Sequence, residues 1–172
     1  MTLLLRLSGL IDRLNTAIGR AVTWGVLVMT LISSGNALIR YVFNDSSNGW
    51  LEIQWYLFSA VFLLCAGYTL LNNEHVRIDV ISNRFGPRAH AWIDLLGGLF
   101  FLLPMAVLIL WLSWPIFWNT LTSGEMSSDA GGLIRWPAKM LIPLGFALLV
   151  LQGISEVIKR IAFLMGRSGA HG

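Results

Sequence analysis

Three histidines, one cysteine, twelve Lys or Arg and nine Asp or Glu are what this 172-residue chain offers for chemistry. Their spacing argues against most of it. A membrane haem needs two histidines facing each other across separate helices. Here His75 and His90 lie in one polar segment and His171 in a Ser-Gly-Ala-His-Gly tail. The cysteine and histidine spacing of a zinc site is missing. The lone Cys65, inside Val61-Phe-Leu-Leu-Cys-Ala-Gly67, excludes an intrachain disulfide and a cysteine relay. No nucleophile–base pair occurs in a recognisable context. The expectation is a chain with no catalytic residues, no cofactor and no metal.

An ion-coupled carrier places an ionisable residue inside the bilayer, where charge costs a few kcal/mol. The long apolar runs of this chain hold none. Their deepest polar residues are Ser33, Ser34, Asn36, Gln54 and Thr69, groups that join helices by hydrogen bonds. Small multidrug carriers also have four helices but depend on a carboxylate in the first, and no acid lies in the first run here. Glu52 is the carboxylate of most interest. It stands near the start of the second run, where a helix dipole stabilises it, and within reach of a pairing with Arg40 across a short loop.

The elements that must position these groups follow from composition. The chain is 56% hydrophobic and 12% charged, with a mean hydropathy of +0.70; a soluble domain carries about twice that charged fraction. Lipid is therefore part of its solvent. Crossing it as a helix takes about 20 apolar residues at 1.5 Å each. No charge lies between Arg20 and Arg40, Glu52 and Glu74, Asp94 and Glu125, or Lys139 and Glu156. Helices are expected because open strands leave backbone groups unpaired in lipid. Trp136-Pro137 opens the last one, Gly86-Pro87 precedes the third, and Pro115 could mark the frayed end of the third.

The basic residues give an orientation. Arg6, Arg13, Arg20, Arg77, Arg84, Arg88, Lys159, Arg160 and Arg167 fall on one side; Arg40, Arg135 and Lys139 fall on the other. Nine against three predicts cytoplasmic termini, and it accounts for the pI near 9.5 without nucleic acid. Trp50, Trp55, Trp111, Trp114, Trp118 and Trp136 fall near the outer surface, Trp24 and Trp92 near the inner one, as an aromatic belt. Residues 1–20 are amphipathic, with Leu3, Leu7, Leu10, Leu14 and Ile18 on one face and Arg6, Arg13 and Arg20 on another. An interfacial helix is favoured there, with an extension of span one packed on a partner as the alternative. A cleaved signal peptide is disfavoured, since Arg6, Asp12 and Arg13 break any apolar region. Asn73–Phe85 reads as a short interfacial helix, although Val76, Ile78 and Val80 also alternate as an extended chain would.

The expected fold is an all-α integral membrane protein with four transmembrane helices and amphipathic interfacial segments at the N-terminus and in the middle loop. It forms one domain over residues 1–172: an amphipathic segment (1–20), a four-helix membrane region (21–160) and a cytoplasmic tail (161–172).

Several segments carry a resemblance in order. Arg40-Tyr-Val-Phe-Asn44 closes the first span, and Trp50-Leu-Glu52 opens the second. His75-Val-Arg-Ile-Asp-Val80 follows the second, and Ile142-Pro-Leu-Gly145 lies in the fourth. From Ala21 to about Lys159 the chain resembles the small, DctQ-like membrane subunit of tripartite ATP-independent periplasmic (TRAP) transporters. The resemblance implies a bacterial inner-membrane complex. A periplasmic solute-binding protein delivers an organic acid to a large multi-spanning subunit driven by a sodium gradient. The small subunit would be a non-catalytic scaffold, and the large one, unlike in fused relatives, a separate chain. Arg40, Glu52, His75, Arg77 and Asp79 match the family's polar positions, with a structural or subunit-interface role implied. A self-contained small homodimeric carrier is the alternative, and a membrane redox or cytochrome subunit a third reading.

Overall fold

The computed structural model describes residues 2–43, 47–72 and 86–166, and its elements are helical. Helix α1 is Thr2–Phe43 and α2 is Asn48–Leu64. After one turn residue, Cys65, the short α3 (Ala66–Leu71) continues the line of α2. Helix α4 (Pro87–Gly97) leads through a widened π turn (Gly98–Leu102) into α5 (Leu103–Ser123). The last helix, α6, is Trp136–Leu164. Among the described residues four stretches are long and apolar enough to cross a membrane: Leu3–Phe43, Asn48–Leu71, Pro87–Ser123 and Trp136–Leu164.

Proline placement shapes two of these. Pro104 has no N–H and its ring would strike the carbonyl one turn back. The turn immediately before it is widened, and Leu103 N–H reaches back five residues to Gly98 O; this is the local adjustment that absorbs such a ring. Pro115 does not end the third span. It lies inside α5, which stops at Gly124, a left-handed residue (φ 60°) whose N–H closes onto Thr120 O.

The first twenty residues form no separate element. Helix α1 runs through Arg20 without a break for 42 residues, about 63 Å at 1.5 Å per residue, roughly twice the hydrocarbon thickness. The middle segment Asn73–Phe85, with its expected interfacial helix, lies outside the described residues, as do His75, Arg77, Asp79 and His171.

The packing is set by small residues, which let helix backbones approach closely in lipid. A Cβ at Gly145 of α6 would stand 2.7 Å from Leu63 O of α2, and one at Gly153 2.8 Å from the side chain of Leu102. Gly25 of α1 faces Val61, and Gly19 faces Tyr68. Among the described residues the buried apolar ones are correspondingly small or few: Ala91, Leu95, Ala106, Phe117, Leu149 and Ala162. Helix α6 touches all the other helices. These pairings make α1 antiparallel to α2 and α6 antiparallel to α5, so α2 and α6 run the same way. The beginning of α1 and the end of α6 share one end of the bundle, the terminal end. The 124–135 loop and the start of α2 share the other, the hairpin end.

Candidate functional site

Each end of the bundle is closed by a polar cluster joining segments far apart in sequence. At the hairpin end the organiser is Glu52, in the second turn of α2. Its carboxylate accepts from Leu133 N at 2.6 Å and from the Ser127 hydroxyl. Asn48 Nδ2 donates to Ala130 O (3.0 Å), and Tyr56 Oη to Ile134 O (3.2 Å). One face of α2 thus grips the 124–135 loop along most of its length. The loop ties itself with an antiparallel bridge between Met126 and Ile134 and a Ser127 N to Leu133 O bond of 2.9 Å. Gly132 leaves room for this grip, since a Cβ there would overlap Ser127 and crowd Glu52.

Beside it, Glu125 receives Lys139 Nζ at 2.6 Å and Arg135 at 3.4 Å, and Lys139 also donates to the Thr120 hydroxyl at 2.9 Å. The hydrogen bond from Lys139 holds the Glu125 carboxyl below its ordinary range; desolvation opposes it, and Thr120 and the charges of Lys139 and Arg135 add to the lowering. This tie joins the end of α5 to the start of α6.

At the terminal end two polar stripes meet. Ser8, Asp12 and Asn15 recur along one face of α1; Gln152, Ser155, Glu156 and Lys159 do so along α6. Gln152 Nε2 donates to Asp12 Oδ1 (2.9 Å) and to Glu156 Oε1 (3.1 Å), while its own oxygen accepts from Asn15 Nδ2 (3.0 Å). The Ser155 hydroxyl bonds Asp12 at 2.8 Å and Ser8 at 2.6 Å. Lys159 lies between Asp12 and Glu156 and pairs with both. Ser8, Asn15, Gln152 and Ser155 are buried, the last three without any exposure for Asn15, Gln152 and Ser155. Arg160 adds a pair with Asp94 at 3.1 Å, tying α6 to α4.

Buried polar groups persist where they are hydrogen-bonded, and one oxygen here is the exception. Asn15 Oδ1 has no hydrogen-bond partner among the described residues and lies against Gly67 of α3, where any side chain would overlap it.

The sequence-predicted positions divide. Glu52 is a structural anchor. Arg40 lies on the exposed last turn of α1, and no ion pair joins it to Glu52 among the described residues. His90, at the start of α4, approaches its own backbone, Gly86 O at 3.4 Å, and no other hydrogen-bond partner among the described residues. Among the described residues no three His, Cys, Asp or Glu side chains gather. The Asp12 cluster went unread in the sequence, although the matching seven-residue polar stripes on the first and last helices were there as a signal.

The arrangement can hold helices in place; it presents no reacting group. The chain matches the family model described as "Tripartite ATP-independent periplasmic transporters, DctQ component" over residues 29–163. No curated protein and no solved structure matches it.

Proposed function

Because the chain belongs to the DctQ component family of tripartite ATP-independent periplasmic transporters, we propose that it is a rigid scaffold for a large membrane subunit. The chain is a multi-pass membrane protein and not an enzyme. In this reading the large subunit moves an organic acid inward on a sodium gradient, after a periplasmic binding protein has delivered it. The small subunit holds the fixed part of the large one, so that its moving part has something to move against. It sits in a bacterial inner membrane with both termini cytoplasmic, as one domain. Arg40, His75, Arg77 and Asp79 serve at the subunit interface, and Glu52 serves inside the chain.

The observation that carries this reading is the pair of polar clasps. They cross-tie α1 to α6 at one end and α2 to the 124–135 loop at the other, and the ionisable groups of both lie at the ends of the spans. A moving carrier would keep such a group along its path; a brace needs its groups at its ends.

Reconstitution tests it. Purified chain in liposomes should pass no organic acid under a sodium gradient. Adding the large subunit and the binding protein should restore uptake. Flux through the chain alone would replace the scaffold with the homodimeric carrier.

A further inference from the structure

Most of the membrane-facing surface is what lipid requires. On α5 it is Met105, Val107, Leu108, Trp111 and Leu112, all apolar and exposed. The face between α1 and α2 towards the hairpin end is different. A groove of about 540 Å³ opens there, lined by Met29, Thr30, Ser33, Ser34, Gln54 and Phe58 among others. The Thr30 hydroxyl donates to its own helix at Val26 O. Ser33, Ser34 and Gln54 make no hydrogen bond to any described residue, and Ser33 and Ser34 are exposed. Hydrocarbon offers such groups nothing to bond, which favours a polypeptide neighbour that does.

The groove also continues beyond the bundle. Gly19 faces Tyr68 and Gly25 faces Val61, and extending that register shows α1 running roughly five residues past the level where α2 begins. Positions four residues apart share a helix face, so Ser33 is followed by Ala37 and Tyr41, and Ser34 by Leu38. Tyr41 is 90% exposed, Phe43 73% and Leu38 63%. An occupant of this stripe has to meet hydroxyl and amide groups at its lower part and bulky apolar side chains above the polar start of α2. A soluble protein reaches only the upper part.

We infer that the α1–α2 groove, from Thr30 to Tyr41, is the seat of one transmembrane helix of the large subunit, together with the segment that follows it out of the membrane. This rests on the scaffold reading and adds the face at which it operates. The helix brings hydrogen-bonding side chains to Ser33, Ser34 and Gln54. Its emerging end covers Leu38 and Tyr41.

Photo-crosslinking in native membranes tests this. Benzoylphenylalanine is placed singly at Ser33, at Tyr41 or at Leu108 of α5, in a tagged chain co-expressed with its transporter partners. Light should give a covalent adduct with the large subunit from Ser33 and Tyr41 and none from Leu108. In parallel, Ser33→Trp fills the groove; it should lose the co-purifying large subunit while the isolated chain keeps its melting temperature. If the large subunit co-purifies but its adducts come from Leu108 alone, the face is wrong and the scaffold reading stands. Adducts only with lipid, the binding protein or a second copy would overturn the proposed occupant. Absence of any co-purifying large subunit from the unmodified chain would overturn both.

Discussion

Gln152 of α6 donates to Asp12 of α1 at 2.9 Å, and its own oxygen accepts from Asn15 one turn further along α1. One amide therefore joins the beginning of the chain to its end, using donor and acceptor at once. Gln152 is fully buried, so an apolar replacement strands partners that water reaches poorly. Gln152→Leu is expected to destabilise the purified chain by about 1–3 kcal/mol, the penalty of an unmade buried hydrogen bond. Thermal unfolding in detergent reads this. The exposed Leu108→Ala, on the lipid face of α5, serves as the silent comparison.

Gly67 makes the same network possible from the other side. Asn15 Oδ1 fills the space where a Cβ would stand, and the Leu148 carbonyl lies 3.3 Å from it on α6. Gly67→Ala must displace the amide or separate the helices. It is expected to lower stability despite the better helix propensity of alanine, worth up to about 1 kcal/mol. Gly9→Ala in α1, where a Cβ meets nothing within 4 Å, should be neutral or stabilising. A Gly67→Ala chain as stable as Gly9→Ala would refute the close contact.

Glu52 governs the loop at the hairpin end. Glu52→Ala removes the acceptor for Leu133 N and the Ser127 hydroxyl, two of the bonds that tie the loop to α2. Amide exchange at Leu133 should accelerate while the amides of α6 keep their protection. Glu52→Gln, which retains an acceptor oxygen, should fall between the two. Unchanged exchange at Leu133 in Glu52→Ala would show that the loop holds itself.

How much of this was legible beforehand depends on range. The four spans follow from where charges stop, because desolvating a charge is a local cost written into single residues. The carboxyl-terminal ends of the first and last lie only a few residues beyond the expected region, α1 reaching Phe43 and α6 Leu164, whereas α1 begins at Thr2, far before the expected start at 21. The Glu52 carboxylate stood out by its place at a helix start, but nothing local says that it faces Ser127 and Leu133 rather than Arg40. The Asp12–Gln152 contact pairs residues 140 apart, and periodicity assigns a face without saying what lies against it. The widened turn before Pro104 and the unbroken passage through Pro115 differ in backbone adjustment, which proline alone does not dictate.

The Glu125 tie adds a pH dependence. Its carboxyl titrates below the ordinary 4.5 in the folded chain, chiefly through the hydrogen bond from Lys139. A group whose folded pKa is lowered stabilises fully above its unfolded value and loses that contribution as pH falls through the folded one. Protection of the 124–135 amides should therefore hold down to about pH 4.5 and decline below it. Glu125→Gln should remove its share of that decline and leave the share of Glu52, which Ser127 and Leu133 of the same loop also hold low. A decline beginning well above 4.5 in the unmodified chain would assign it to another group.

Co-purification tests the central claim most directly. The chain is tagged at its carboxyl terminus, membranes are extracted in mild detergent, and whatever elutes in stoichiometric amount is identified. The scaffold reading predicts one large, many-spanning membrane protein, with its yield reduced by Arg77→Ala or Asp79→Ala. A stable dimer of the chain alone, unaffected by either substitution, would contradict it.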